Sequence, residues 1–185
     1  PDRQTVTLLS AGREVDVPVV HDRQTTSGRL LMVLETVFGA NPEQVMASKR
    51  AAGGTLLEPL TSGGKTVART ALEAAQVIFT ADDPPDHLLV VSGASVVLLD
   101  RGRWGEGVFL GASLDEALAR KDDRPKGELA AIAGLLSEDA IDPGSQSESV
   151  LAGVLASAAN ESAGVSKDLR HGMRRSVELI AAAVV

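Results

Sequence analysis

The stretch that most constrains this chain is a pair of apolar runs, Leu88–Val91 and Val96–Leu99, on either side of Ser92-Gly93-Ala94-Ser95. Short β-branched runs broken by a glycine-containing turn predict a β-hairpin spanning His87 to Arg101. Both arms are apolar at nearly every position. A strand with only one buried face alternates, so this hairpin needs cover on both faces. It belongs inside a sheet with helices over it.

The remaining segments are expected to supply that sheet and its cover. Gln4–Ser10 and Glu14–Val20 alternate well enough for a second, polar-faced hairpin turning at Ala11-Gly12-Arg13. Residues 21–28 read as loop, and Arg29–Val37 as a core strand. Asn41-Pro42 should start a helix that runs to about Ala52, because Asn caps and Pro is favoured at the first position. Thr55–Lys65 reads as a loop. Thr66–Thr80 reads as a helix with Val67, Ala71, Leu72, Ala75 and Ile78 on one stripe. Asp82-Asp83-Pro84-Pro85 stops it. A glycine-rich turn follows at 102–107, and a short strand at Val108–Leu110. A capping-box spacing at Ser113 and Glu116 opens a helix to about Lys121. Another helix is expected from Arg124-Pro125 to Leu136, then an acidic loop over 137–147. Residues 148–185 should be helical, with one break near Gly164. The expected architecture is α/β: a mixed central sheet covered by helices over residues 1–145, and a helical extension over 146–185.

The sequence of 185 residues is 44% hydrophobic but only 2% aromatic, so the core must come from Leu, Val, Ala and Ile. Without Cys there is no disulfide framework, thiolate metal site or cysteine nucleophile. No basic-then-apolar leader opens the sequence, and no apolar run reaches the roughly 18 residues of a membrane helix. These features point to a cytoplasmic setting with no membrane partner. The net charge of −7 is the reverse of the basic field expected of a domain that binds duplex DNA alone. Any nucleic-acid contact must be local. The bare apolar end Val177–Val185 suggests a chain cut from something longer, or an end that packs on a partner.

Tests for catalytic motifs mostly exclude. Ser62-Gly63-Gly64-Lys65-Thr66 resembles the end of a phosphate loop, but Pro59 stands where the first glycine belongs. The glycines of 102–107 lack dinucleotide-binding order. His21, His87 and His171 have no metal-site spacing, and G-x-S-x-G is absent. A nuclease of the restriction type needs an acid followed two residues later by Lys, and no Asp or Glu here has one. Glu35 and Glu58 lie near strand ends without that lysine. Glu35, inside an apolar run, is the acid most costly to bury, so it is either a ligand remnant or paired within the domain. Lys167, Arg170, His171 and Arg174 share one helical face, with Arg175 beside them, and form the densest basic patch. They suit phosphate contact or an ordinary solvated surface. Arg101 and Arg103 flank Trp104, which can stack a base or plug a core.

Three stretches together carry a family resemblance. Asp83-Pro84-Pro85, the hairpin and Asp100-Arg101-Gly102-Arg103-Trp104-Gly105-Glu106-Gly107 are the first. Leu135–Ile141 is the second, and Gly164–Arg170 through Glu178-Leu179-Ile180 the third. In this order they resemble the N-terminal region of large bacterial DNA methyltransferases of the phage-defence and combined restriction–modification type. The resemblance covers about residues 83–185. It implies a parent protein that methylates adenine N6 with S-adenosylmethionine in a catalytic domain placed after this region. Asn-Pro-Pro-Tyr, the catalytic motif of that domain, does not occur here. In related enzymes the N-terminal region can be a nuclease, and the missing acid-x-Lys departs from that pattern.

The leading expectation is therefore a non-catalytic scaffold or DNA-positioning domain with a degenerate restriction-nuclease-like sheet and no cofactor of its own. Its partners would be double-stranded DNA through the parent protein, the methyltransferase domain in cis, and other defence-system proteins. DNA contacts would come from Lys167, Arg170, Arg174 and Arg175, with Arg101 and Arg103 second. One alternative is a magnesium-dependent nuclease with a diverged motif using Glu35. The other is an oligomerisation or protein-interaction domain pairing through the apolar C-terminus.

Overall fold

Alternation near the start of the chain gives β1 (Gln4–Ser10) and β2 (Arg13–Val19), as expected. They pair antiparallel, with Val6 opposite Val17 and Leu8 opposite Val15. Ala11 and Gly12 both take positive φ in the turn, the combination that matches the twist of a two-residue hairpin. Val15, Val17 and Val19 face the core. The computed structural model describes residues 3–39, 41–47, 54–122, 124–142 and 149–157. The chain divides into two compact units, residues 1–130 and 131–185.

In the first unit the chain departs from expectation in three places. The segment expected as loop after β2 is a strand, β3 (His21–Thr25), paired antiparallel with β4 (Gly28–Glu35). Its side chains are all polar, so it lacks the apolar run that marks a strand, and it lies at a sheet edge where half its surface is wet. α1 (Pro42–Val45), capped by the Asn41 side chain, is a single turn that ends at the C-cap Met46, short of the expected Ala52; residues 48–52 of the expected helix lie outside the described residues. The next two segments, read as loop and helix, form a hairpin instead. It comprises β5 (Thr55–Ser62) and β6 (Lys65–Thr70), turning at Gly63-Gly64 with both φ positive.

The expected helix begins only at Ala71. In α2 (Ala71–Phe79) Thr70 is the N-cap: its hydroxyl accepts from the Glu73 N–H, and the Glu73 carboxylate accepts from the Thr70 N–H. This reciprocal pair fixes the strand-to-helix transition. The ribbon anticipated around Ser92–Ser95 is β7 (His87–Ser92) and β8 (Ser95–Asp100), in register throughout. A 3₁₀ turn at Trp104–Glu106 leads to β9 (Leu110–Ser113) and α3 (Leu114–Arg120). Ser113 is the N-cap residue, but its hydroxyl makes no capping bond, so the capping-box spacing is present without its chemistry.

The fold is α/β, with one correction: two sheets stand in place of a single central sheet under helices. One is antiparallel in the order β1-β2-β5-β6. The other runs β3-β4-β7-β8-β9 and is mixed, with β4 parallel to β7. The physical reason is the β5–β6 hairpin, which turns material read as loop and helix into the second half of the antiparallel sheet. The β7–β8 ribbon is interior to the mixed sheet, as its composition required. Leu88, Val90, Val97 and Leu99 on one of its faces share a core with Val17, Val19, Leu60 and the α2 residues Ala71, Ala74, Ala75 and Ile78. Val33, Val96 and Leu98, which alternate with those positions, are buried too.

In the second unit, α4 (Glu128–Leu135) crosses the division, and α5 (Glu138–Ile141) occupies part of the expected acidic loop. Ser137 caps α5 by accepting from the Ala140 N–H. Residues 150–157 are helical, with Leu151 and Leu155 buried. The expected helix from 158 to the end lies outside the described residues.

Two substitutions test this core. Thr70→Ala removes the α2 cap and should cost about 1 kcal/mol of unfolding free energy. Ile78→Ala removes a fully buried side chain and should cost about 2–5 kcal/mol. Urea unfolding of the purified chain, read by far-UV circular dichroism, measures both.

Candidate functional site

A cluster of charged groups in the first unit lies at one end of the mixed sheet, where β4 and β7 begin and β8 ends. Arg29 is its centre. The residue is 8% exposed, and it is held there by the turn at Thr25–Gly28, where Gly28 takes φ +136. Its Nε donates to Asp22 Oδ1 at 2.9 Å. Its Nη1 donates to the Asp83 carbonyl at 2.9 Å and the Asp83 carboxylate at 3.1 Å. The Arg29 carbonyl accepts from the Asp86 N–H, and the Asp86 carbonyl from the Arg101 N–H. The guanidinium and main chain of Arg29 thus tie the β3 edge, the start of β4 and the segment from Asp83 to Asp86 into one unit. A buried guanidinium survives only with such partners.

Beside it, His87 and Asp100 face each other across β7 and β8. His87 is 5% exposed, and its Nδ1 lies 3.4 Å from Asp100 Oδ2 without hydrogen-bond geometry. Burial is the largest influence and pushes the imidazole below its ordinary 6.5, against the upward pull of Asp100 and Asp86. The ring is neutral near pH 7. A His–Asp pair suggests acid–base catalysis, but a nucleophile is needed within reach. Ser92, on the same strand, is five residues away, about 16 Å at 3.3 Å per residue. The cluster arranges no Ser–His–Asp constellation there.

Arg101 and Arg103 lie at the same end. Arg101 donates to Asp86 at 2.7 Å, and Arg103 sits 3.5 Å from Glu106. Trp104 packs on Phe79, with ring centroids 5.7 Å apart, and joins the edge of the core. Glu35 is elsewhere, at the far end of β4. It accepts from Arg3 Nη2 at 2.8 Å, while Glu58 accepts from Arg3 Nη1 at 2.7 Å. Donation to these two carboxylates raises the Arg3 pKa further. Glu35 is thus paired, about one-third exposed, and brought together with the other acid singled out in the sequence. Lys167, Arg170, Arg174 and Arg175 lie outside the described residues.

Among the described residues no group of three His, Cys, Asp or Glu side chains is arranged to hold a metal ion, and no helix is long and apolar enough to cross a membrane. Comparison with protein-family models, with curated proteins and with solved structures finds no match.

Sequence reading overlooked Arg29, Asp22 and Asp86, and treated His87 only as a lone histidine. The one local signal was an arginine opening an apolar strand, with Asp22 and Glu35 at similar distances on either side of it in the sequence. Its other partner, Asp83, is 54 residues away.

Arg29→Ala should cost about 3–5 kcal/mol, because it strands the buried Asp22 carboxylate. Urea unfolding checks this, with Arg29→Lys recovering part of the loss. His87 gives a pH dependence. The unfolded chain binds its proton near 6.5 and the folded chain at lower pH, so the stability from neutral burial is complete above about pH 6.5 and is lost as pH falls below it. Melting midpoints between pH 7 and 5 should fall less steeply in His87→Gln than in the unsubstituted chain.

Proposed function

We propose that this chain is a non-catalytic scaffold and DNA-positioning domain, belonging to the N-terminal side of a bacterial DNA adenine N6-methyltransferase in a restriction–modification or phage-defence system. The observation that carries this reading is what the stretch Asp100–Gly107 does. It is the most distinctive part of the family resemblance, and its groups are used up in building a turn. Asp100 accepts from the Arg103 N–H, Arg101 pairs with Asp86, Trp104 packs on Phe79, and Gly107 closes the turn at φ +70. Residues that satisfy one another so fully support a platform rather than a reaction centre. The mixed sheet with its parallel β4–β7 pair is compatible with a degenerate restriction-nuclease-like core.

S-adenosylmethionine, which the resemblance implies for the parent protein, does not fit the residues described here. Its binding fold needs a glycine-rich turn from a parallel strand into a helix. Gly63-Gly64 joins two antiparallel strands, and the turn ending at Gly107 precedes β9. These residues therefore perform no step with that cofactor.

In this reading the DNA contacts are Lys167, Arg170, Arg174 and Arg175. Arg101 and Arg103 rank second, because a phosphate must displace Asp86 and Glu106 to reach them. The methyltransferase domain in cis and other defence-system proteins are the remaining partners, in the cytoplasm. Duplex binding by the intact protein, titrated with salt, tests this. Replacing the four C-terminal cations with Ala should flatten the slope of log K against log salt by up to about 0.9 for each phosphate no longer neutralised. An unchanged affinity and slope would remove these four residues from the DNA interface.

A second reading, a magnesium-dependent nuclease using Glu35, gains from the meeting of Glu35 and Glu58 on Arg3. The guanidinium already supplies positive charge between the two carboxylates, which favours internal pairing. Plasmid nicking in magnesium or manganese, abolished by Glu35→Gln, would establish the nuclease. The scaffold reading expects intact supercoiled plasmid.

A further inference from the structure

Four hydroxyl side chains form a row across the mixed sheet at the end opposite Arg29. Ser92 stands opposite Ser95, and Ser95 opposite Ser113. The Thr36 N–H donates to the Val91 carbonyl, which carries the parallel β4–β7 register one step further and sets Thr36 beside Ser92. Directly paired residues project from the same side of a sheet. By two-residue alternation this is the side of Leu34, Val90 and Val97, the core side. The row is therefore the polar end of an otherwise apolar layer.

These hydroxyls are deeply buried and poorly satisfied. Thr36 is 3% exposed, and Ser92 and Ser95 are 0%. The side-chain oxygens of Thr36, Ser95 and Ser113 are buried with no hydrogen-bond partner among the described residues. Ser92 Oγ reaches the Gly39 carbonyl at a long 3.5 Å. Gly39 and α1 lie at this end: Pro42 abuts the open face of Gly111, two residues before Ser113 on β9, and α1 packs on β8 and β9. Three orphaned hydroxyls in one row are more than chance leaves unpaired, because an unbonded buried hydroxyl costs on the order of 1–3 kcal/mol.

We propose that this row is a binding site for ordered water. One molecule bridges Ser95 Oγ and Ser113 Oγ, and a second bridges Thr36 Oγ1 and Ser92 Oγ. Cβ atoms of directly opposed residues lie about 4.5–5.5 Å apart. That spacing lets one water accept and donate at about 2.8 Å to each neighbour. Buried waters settle where two to four polar groups converge in an otherwise closed region. The competing arrangement is a direct Ser95–Ser113 hydrogen bond, reached by rotating χ1 of both serines, with no solvent between.

Two measurements on the full chain decide between them. A crystal structure at high resolution should show a water peak within about 3.0 Å of both Ser95 Oγ and Ser113 Oγ. Ser95→Ala, which removes one oxygen and leaves the backbone untouched, should lower the melting midpoint by about 2–4 °C, as loss of one buried hydrogen bond does in a chain of this size. If no density bridges the two serines, the proposal falls. It falls equally if Ser95→Ala raises the midpoint, because that would mark the hydroxyl as an unpaired burden. Ser113→Ala repeats the thermal test from the other side of the bridge.

Discussion

The structure depends on burying the Leu88–Leu99 ribbon on both faces. Chain composition leaves no alternative core: with almost no aromatic side chains, the interior is made of Leu, Val, Ala and Ile in close contact. Helices cover only part of the ribbon. The valine stripe of β2 and the buried alanines of α2 share the core into which the ribbon turns one face. Ala71, Ala74, Ala75 and Ile78 are the buried positions of that helix. The second sheet exists because the first needs something flat and apolar to lie against.

How much of this is readable in the residues varies with the kind of signal. The β7–β8 hairpin and the β1–β2 hairpin declare themselves through local pattern and turn glycines. The strands β3, β5 and β6 do not. β3 is polar at every position because it is an edge. β5 carries Glu58-Pro59 in mid-strand, and its pairing is irregular there, between Thr55 and Leu60, as a residue without an N–H requires. β6 shares an apolar stripe with the helix that follows. What separates them is Thr70 with Glu73 three residues on, a capping signal present in the sequence but masked by the longer periodicity.

The charged cluster is legible only in part. An arginine at the head of an apolar strand announces a buried cation in need of acids, yet nothing local says that Asp83 is one of them. Pairings over 54 residues are decided by topology. Glu35 is the converse case. Its cost inside an apolar run signals a partner, and that partner is Arg3. Arg101, Arg103 and Trp104 look like a basic–aromatic recognition group when read as a string. Folded, each has a structural partner, which turns the same three residues into a clasp around the end of β8.

The route of the chain through the two sheets has a kinetic consequence. After β2 the polypeptide passes to β3 through Val20 alone, returns to the antiparallel sheet for β5 and β6, then goes back to the mixed sheet for β7 to β9. Neither sheet can be finished from consecutive sequence, so each waits on the other. Such a path has a high proportion of distant pairings and closes long loops before they are rewarded. Residues 1–130 should therefore assemble slowly and in one concerted event, with no half-built sheet stable enough to accumulate.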